Sequence, residues 1–299
     1  MLRWFGASSL SRRFGELPVS ATKPCEAGGV TVDRQGERAI ARPARSVASC
    51  LECSGTGLVR TTVQENGRSY EVSAPCPRAK LTKRAELFNA AHLPAVHATS
   101  LFENYKARVG EQDQARKRLT EFAMTWPARQ RGFVLSGPVG TGKTHLLSSA
   151  LRHLTLEAGV RCGYVEISLL YATIRRGFQE GKSGGEIIGP LSEVTVLAID
   201  ELGKGRGSAF ELETLDELIA RRYNSNKVTL FATNYSLKPP EEKQQRGYVD
   251  TASSLESGKE SKLLVERVGD RIYSRLCDMC DFIEFPMSTP DARRGPKAP

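Results

Sequence analysis

The stretch that most constrains this chain runs from Phe133 to Thr144, Phe-Val-Leu-Ser-Gly-Pro-Val-Gly-Thr-Gly-Lys-Thr. An apolar, β-prone run leads into the pattern G-x-x-x-x-G-K-[ST], met by Gly137, Gly142, Lys143 and Thr144. Pro138, Val139, Gly140 and Thr141 fill the turn, and His145 follows it. Glycines at these places let backbone N–H groups point inward around a phosphate chain. Lys143 is placed to reach the β- and γ-phosphates, and the Thr144 hydroxyl to meet Mg²⁺. Leu146, Leu147, Ala150, Leu151 and Leu154 then recur at helical spacing, so a helix opens at Lys143 and adds its positive dipole end to the same anion site. The stretch therefore predicts strand, phosphate loop and helix, with ATP and Mg²⁺ as ligands.

A second apolar run, Val194 to Ile199, ends in Asp200 and Glu201. Such a run suits a parallel strand covered on both faces. Downstream of a phosphate loop it reads as a Walker B strand, in which Asp200 holds Mg²⁺ and Glu201 polarises the attacking water. A third buried strand, Val228 to Thr233, ends at Asn234, which is placed to orient that water. Val160 to Ile167 and Asp281 to Phe285 complete the strand set, and helices are expected over 169–178, 210–223 and 263–279. Alternating apolar strands and amphipathic helices predict an α/β fold with a parallel sheet.

Upstream, Cys50-Leu-Glu-Cys53-Ser-Gly55-Thr-Gly57 looks like a zinc knuckle, followed by two β-like runs and Cys76. Three thiolates leave a fourth ligand open. A second C-x₂-C would end at position 79, which is Ala79, so Cys25, His92 or a water are the candidates. Cys277 and Cys280 repeat the spacing without a second pair and read as core thiols. An odd total of seven cysteines in a nucleotide-binding chain points to reduced thiols in a cytoplasm. Nothing approaches the ~20 consecutive apolar residues of a membrane span. The net charge of +9 favours a polyanionic partner without distinguishing nucleic acid from an anionic surface. Residues 1–46 mix Pro, Gly, Arg and Ala without periodicity and are expected to be disordered and basic. Residues 47–98 are expected to form a small cysteine module with a linker helix, and 99–299 the ATPase domain. Residues 237–262 read as a long polar loop.

Four blocks together resemble the AAA+ ATPases of the DnaC/IstB group. They are Gly137 to His145, the Ile-Asp-Glu-Leu-Gly of 199–203, Thr233 to Ser236, and Glu-Arg-Val-Gly-Asp-Arg-Ile-Tyr-Ser-Arg-Leu over 266–276. The resemblance spans roughly 100–294. It implies a P-loop AAA+ three-layer sandwich with a vestigial lid, preceded by a small cysteine-containing N-terminal module that grips a helicase. The 266–276 block implies an arginine finger for the neighbouring subunit's ATP, best matched by Arg271, with Arg267 and Arg275 as alternates. It also implies a late arginine sensing nucleotide in cis, for which Arg293 is the candidate. The helix after the second strand and its insertion imply a single-stranded DNA path with Tyr171, Arg175, Arg176 and Lys182. The implied function is ATP-dependent loading of a hexameric replicative helicase, by a homo-oligomer formed in the ATP state. A helper ATPase of DNA transposition and a regulatory ATP-binding adaptor are the other readings.

Overall fold

A computed structural model describes residues 29–237 and 263–293. Residues 1–28, most of the 237–262 loop and the end of the tail lie outside the described residues, Cys25 among them. The chain divides into two compact units. One contains 44–80, and the other contains 30–43 and 81–293 of the described residues.

The larger unit is built on five strands: β5 (Gly132–Ser136), β6 (Cys162–Glu166), β7 (Val196–Asp200), β8 (Val228–Thr233) and β9 (Cys280–Glu284). They pair in the order β6-β7-β8-β5-β9, and every pairing is parallel. All residues of β5, β7 and β8 are buried, as expected for strands covered on both faces. Their side chains alternate between two apolar clusters. Phe133, Leu135, Val196, Ala198, Leu230 and Ala232 enter one, while Val134, Leu197, Ile199 and Phe231 enter the other. The first cluster is closed by α1 (Pro77–Ala90), α2 (Gly110–Met124) and α3 (Lys143–Leu156). The second is closed by α4 (Ile167–Gln179), α5 (Gly184–Glu193), α6 (Ala209–Asn224), α7 (Leu264–Val268) and α8 (Asp270–Met279). This is the three-layer α/β sandwich with a parallel sheet that the sequence predicts.

Three expectations need correction. First, the stretch read as disordered contains an antiparallel hairpin, β1 (Val30–Gln35) and β2 (Arg38–Pro43), within the larger unit. Ala39 and Ala41 point into the core, and the Asn89 side chain grips the Ala41 backbone at both N–H (2.7 Å) and C=O (3.1 Å). Alanine alternation is too weakly apolar to read as a strand, and Asn89 supplies the missing fixation. Residues 81–98 also belong to the larger unit. Second, the helix expected over 263–279 breaks at Gly269, whose φ of +80° favours glycine, so Arg267 lies on α7 and Arg271 and Arg275 on α8. Third, Cys280 is buried but Cys277 is exposed.

In the smaller unit, strands β3 (Leu58–Glu65) and β4 (Arg68–Pro75) form a second hairpin across Asn66-Gly67, both at positive φ. Cys50, Cys53 and Cys76 form its core with the partly buried Val47, Val59 and Ala79.

Candidate nucleotide-binding site

The phosphate loop leaves the C-terminal end of β5, beside the ends of β8 and β9. Its glycines are fixed by contact as well as by backbone angle. At Gly137 (φ +144°) a Cβ would come within 2.7 Å of the Phe285 Cβ, and at Gly142 (φ +87°) within 2.5 Å of the Tyr105 ring. Gly142 precedes α3 without a side-chain cap, which leaves the first N–H groups of the helix open to an anion. The Lys143 side chain is buried. Its Nζ donates to Gly137 O and Pro138 O, each at 2.8 Å. Burial lowers its pKa to about 8, against the pull of Asp200. An incoming phosphate is the natural substitute for those two carbonyls.

Thr144 and Asp200, far apart in the chain, meet here. Thr144 Oγ1 donates to Asp200 Oδ2 at 2.7 Å. The Tyr164 hydroxyl donates to the same oxygen at 2.8 Å, and Oδ1 accepts the Glu201 N–H at 2.9 Å. A hydroxyl and a carboxylate side by side are hard oxygen donors of the kind Mg²⁺ takes alongside nucleotide phosphates, so the donor set fits that ion.

Glu201 stands at φ +56°, a conformation that non-glycine residues rarely adopt. Burial raises its pKa, Lys204 opposes the rise, and Glu166 adds to it. Lys204 makes ion pairs with Glu201 and, at 3.4 Å, with Glu166. The turn after Glu201 is pinned by Leu202 N–H to Ala232 O (2.8 Å) and by Thr233 Oγ1 to Leu202 O (2.7 Å). Asn234 follows Thr233 at the end of β8, exposed beside this turn.

The three arginines of the 266–276 block separate clearly. Arg267 donates to Gly203 O (3.0 Å) and Gly205 O and stacks on Tyr235, so it braces the turn after β7 within its own subunit. Arg275 is largely covered and paired with Asp216. Arg271 is 75% exposed, with Asp216 at 3.6 Å as its ion-pair partner. The tail beyond β9 returns to the phosphate loop through Ala292 N–H to Gly140 O at 2.9 Å. Arg293 is close enough for its charge to act on Lys143 and His97.

Sequence reasoning missed the supports of the loop. Tyr105 O–H (2.9 Å) and the buried Gln112 amide (2.8 Å) both donate to Thr141 O, and His145 Nε2 lies 2.8 Å from Leu101 O. Tyr164, Glu166 and Lys204 were missed too. Strand register alone brings the first two to Asp200 and Glu201, and no local pattern signals that.

The expected DNA path is altered. Tyr171 is buried at 5% exposure, edge-on to Phe210, and cannot offer a face to a base. Its position on the inner side of α4 places it in the core. Arg175 donates to the buried Glu211 carboxylate (2.7 Å) and stacks on Phe210. Arg176 and Lys182 are exposed, the latter paired with Glu180 at 2.7 Å.

In the smaller unit the sulfurs of Cys50, Cys53 and Cys76 lie within 4.8 Å of one another, with Cys50 and Cys76 3.6 Å apart. Tetrahedral zinc with ~2.3 Å bonds to sulfur sets its ligands about 3.8 Å apart, so the cluster fits that ion. Among the described residues of the smaller unit no histidine or carboxylate joins it.

A phosphate loop after β5, an acid pair at the end of β7 and β8 between them define the class as a P-loop ATPase fold of the AAA+ type. The family model of IstB-like ATP binding proteins matches residues 77–245, more than half of the 299, and the chain belongs to that family. The replicative helicase loader DnaC of Escherichia coli (strain K12) is 26% identical over 191 residues, 64% of this chain and 69% of that protein. DnaC of Buchnera aphidicola subsp. Baizongia pistaciae is 27% identical over 173 residues, 57% of this chain and 70% of that protein. The crystal structure of the DnaC helicase loader aligns with a TM-score of 0.52 and 23% identity, over 64% of this chain and 99% of that one, a likeness of fold. No helix among the described residues is long and apolar enough to cross a membrane.

Proposed function

We propose that this chain is a cytoplasmic ATPase that assembles in its ATP state and helps place a hexameric replicative helicase on single-stranded DNA. The observation that carries the reading is the meeting of Thr144 and Asp200 at 2.7 Å beside the buried Lys143. Gly137 to His145 hold the phosphates, Thr144 and Asp200 hold Mg²⁺, and Arg293 reads the nucleotide in cis. The metal supplies charge neutralisation on the phosphate oxygens. Glu201, with Asn234, orients a water and takes its proton. The water oxygen bonds to the γ-phosphorus as the bond to the bridging oxygen breaks, and ADP leaves. Arg271 of a neighbouring copy stabilises the charge that develops on the transferred group, which its exposure on α8 favours over Arg267 and Arg275.

The smaller unit is the partner-binding module, folded around zinc held by Cys50, Cys53 and Cys76 with the fourth position open. It displays Leu51, Leu58, Tyr70 and Val72 to solvent, a supply of apolar contact for another protein. Arg176 and Lys182 provide the basic contacts to DNA phosphates.

A second reading, an ATPase helper of DNA transposition, is the other function that the resemblance to the DnaC/IstB group implies. Co-isolation from native extract with ATP present separates the two. Wild type is expected to recover a hexameric helicase, and Lys143→Ala to lose it. Recovery of a transposase instead would move the conclusion to the second reading.

A further inference from the structure

We propose that Tyr164 is a positioning residue for the magnesium-binding carboxylate, acting through Asp200 without touching the metal. This rests on the reading of Asp200 as a Mg²⁺ ligand.

The strand register produces the contact. Tyr164 on β6 lies opposite Ala198 on β7, and neighbours in register share a face of the sheet. Asp200 is two residues beyond Ala198 on that same face, about 6.6 Å further along the strand. A phenol side chain leaning toward the strand end spans that gap. The small side chain at Ala198 leaves the ring its path, and Tyr164 packs against the cluster that contains Ala198. Its hydroxyl then donates to Asp200 Oδ2 at 2.8 Å.

The backbone of Tyr164 is held as well. β6 is an edge strand, and the Tyr164 N–H on its outer side donates to Ala91 O, just after α1, at 2.8 Å. The phenol is thus tethered at both ends.

Asp200 needs that tether. Among the described residues its Oδ1 accepts from the neighbouring Glu201 N–H, on a residue with strained backbone. Its Oδ2 accepts from Thr144 and Tyr164. The Thr144 hydroxyl belongs to the metal site itself, so the Tyr164 hydroxyl is the one side-chain donor, among those described on Asp200, that is committed to orientation alone. Partners of this kind fix the rotamer of a ligating carboxylate and raise affinity for its ion.

The test is binding of a fluorescent ATP analogue, titrated with Mg²⁺ and repeated in EDTA, for wild type, Tyr164→Phe and Asp200→Asn. Tyr164→Phe keeps the ring and removes one hydroxyl. It is expected to bind nucleotide in EDTA within twofold of wild type and to need about tenfold more Mg²⁺ for half-saturation. An unchanged Mg²⁺ requirement in Tyr164→Phe, with Asp200→Asn shifted, overturns the role of Tyr164. Equal losses with and without Mg²⁺ also overturn it, because the tyrosine would then serve only the fold. If Asp200→Asn itself leaves the Mg²⁺ requirement unchanged, the underlying reading of the site fails instead.

Discussion

The two units of this chain solve the same problem by different physics. In the larger one, three strands are buried along their whole length and the core runs on both faces of the sheet. Removal of apolar area from water holds it, and the nucleotide side chains decorate a frame that does not depend on them. In the smaller one, a two-stranded hairpin exposes most of β4, and among the described residues the buried cluster is three thiols, with the partly buried Val47, Val59 and Ala79 packed against them. A hairpin with so little core is marginal in water by itself, and a domain of that size needs a staple. The lesson is that substitutions in the first unit separate function from folding, while in the second unit the proposed metal site and the fold are one thing.

The sharpest way to break the contrast is chelation. Structural zinc contributes roughly 10–16 kcal/mol in isolated finger peptides. Stripping the metal is expected to abolish amide protection over 44–80 and leave protection over β5, β7 and β8 unchanged, as read by hydrogen exchange. Unchanged protection over 44–80, or absence of zinc in the purified protein, would remove the staple from the account.

Next in size is Arg271. Arg271→Ala is expected to lower turnover by ~10³–10⁵ through loss of a trans arginine, with ATP affinity of the isolated chain unchanged. Steady-state hydrolysis alongside equilibrium binding reads both. Arg275→Ala is the control: it strips Asp216 of its closer partner and is expected to act on stability first. A similar loss of turnover in both would dissolve the distinction drawn from their exposure.

The smallest effect tests the frame itself. Arg222 is fully buried. It donates to the carbonyls of Leu191 and Val194, each at 2.9 Å, to that of Val228, and to Thr229 Oγ1. Burial lowers its pKa to about 10, still charged at neutral pH. Arg222→Met leaves those carbonyls without their donor, at a cost of about 3 kcal/mol. That lowers the melting temperature by roughly 6–12 °C. Calorimetry should show the loss in the main transition, with nucleotide affinity kept at temperatures below it.

What the sequence made legible follows the same division. The phosphate loop, the apolar strands and the Asp200-Glu201 pair are local patterns, because strand, turn and helix must each be written into consecutive residues. The β1–β2 hairpin was illegible because its inward residues are alanines. Tyr171 misled because amphipathic residues on helices look alike whether they face solvent or the core, and only packing decides. Tyr164 escaped notice because its partner Asp200 lies on another strand, and register, unlike motif, cannot be read from one strand.

The account's central claim is a nucleotide site completed by a second copy. Mixing Lys143→Ala protein with Arg271→Ala protein tests it most directly, with ATP hydrolysis measured across mixing ratios. Each variant alone is expected to be nearly inactive. The mixture should regain turnover, because the Lys143→Ala copy lends its Arg271 to the intact phosphate loop of its neighbour. A mixture no more active than its components, while the two proteins still co-assemble, would contradict the claim.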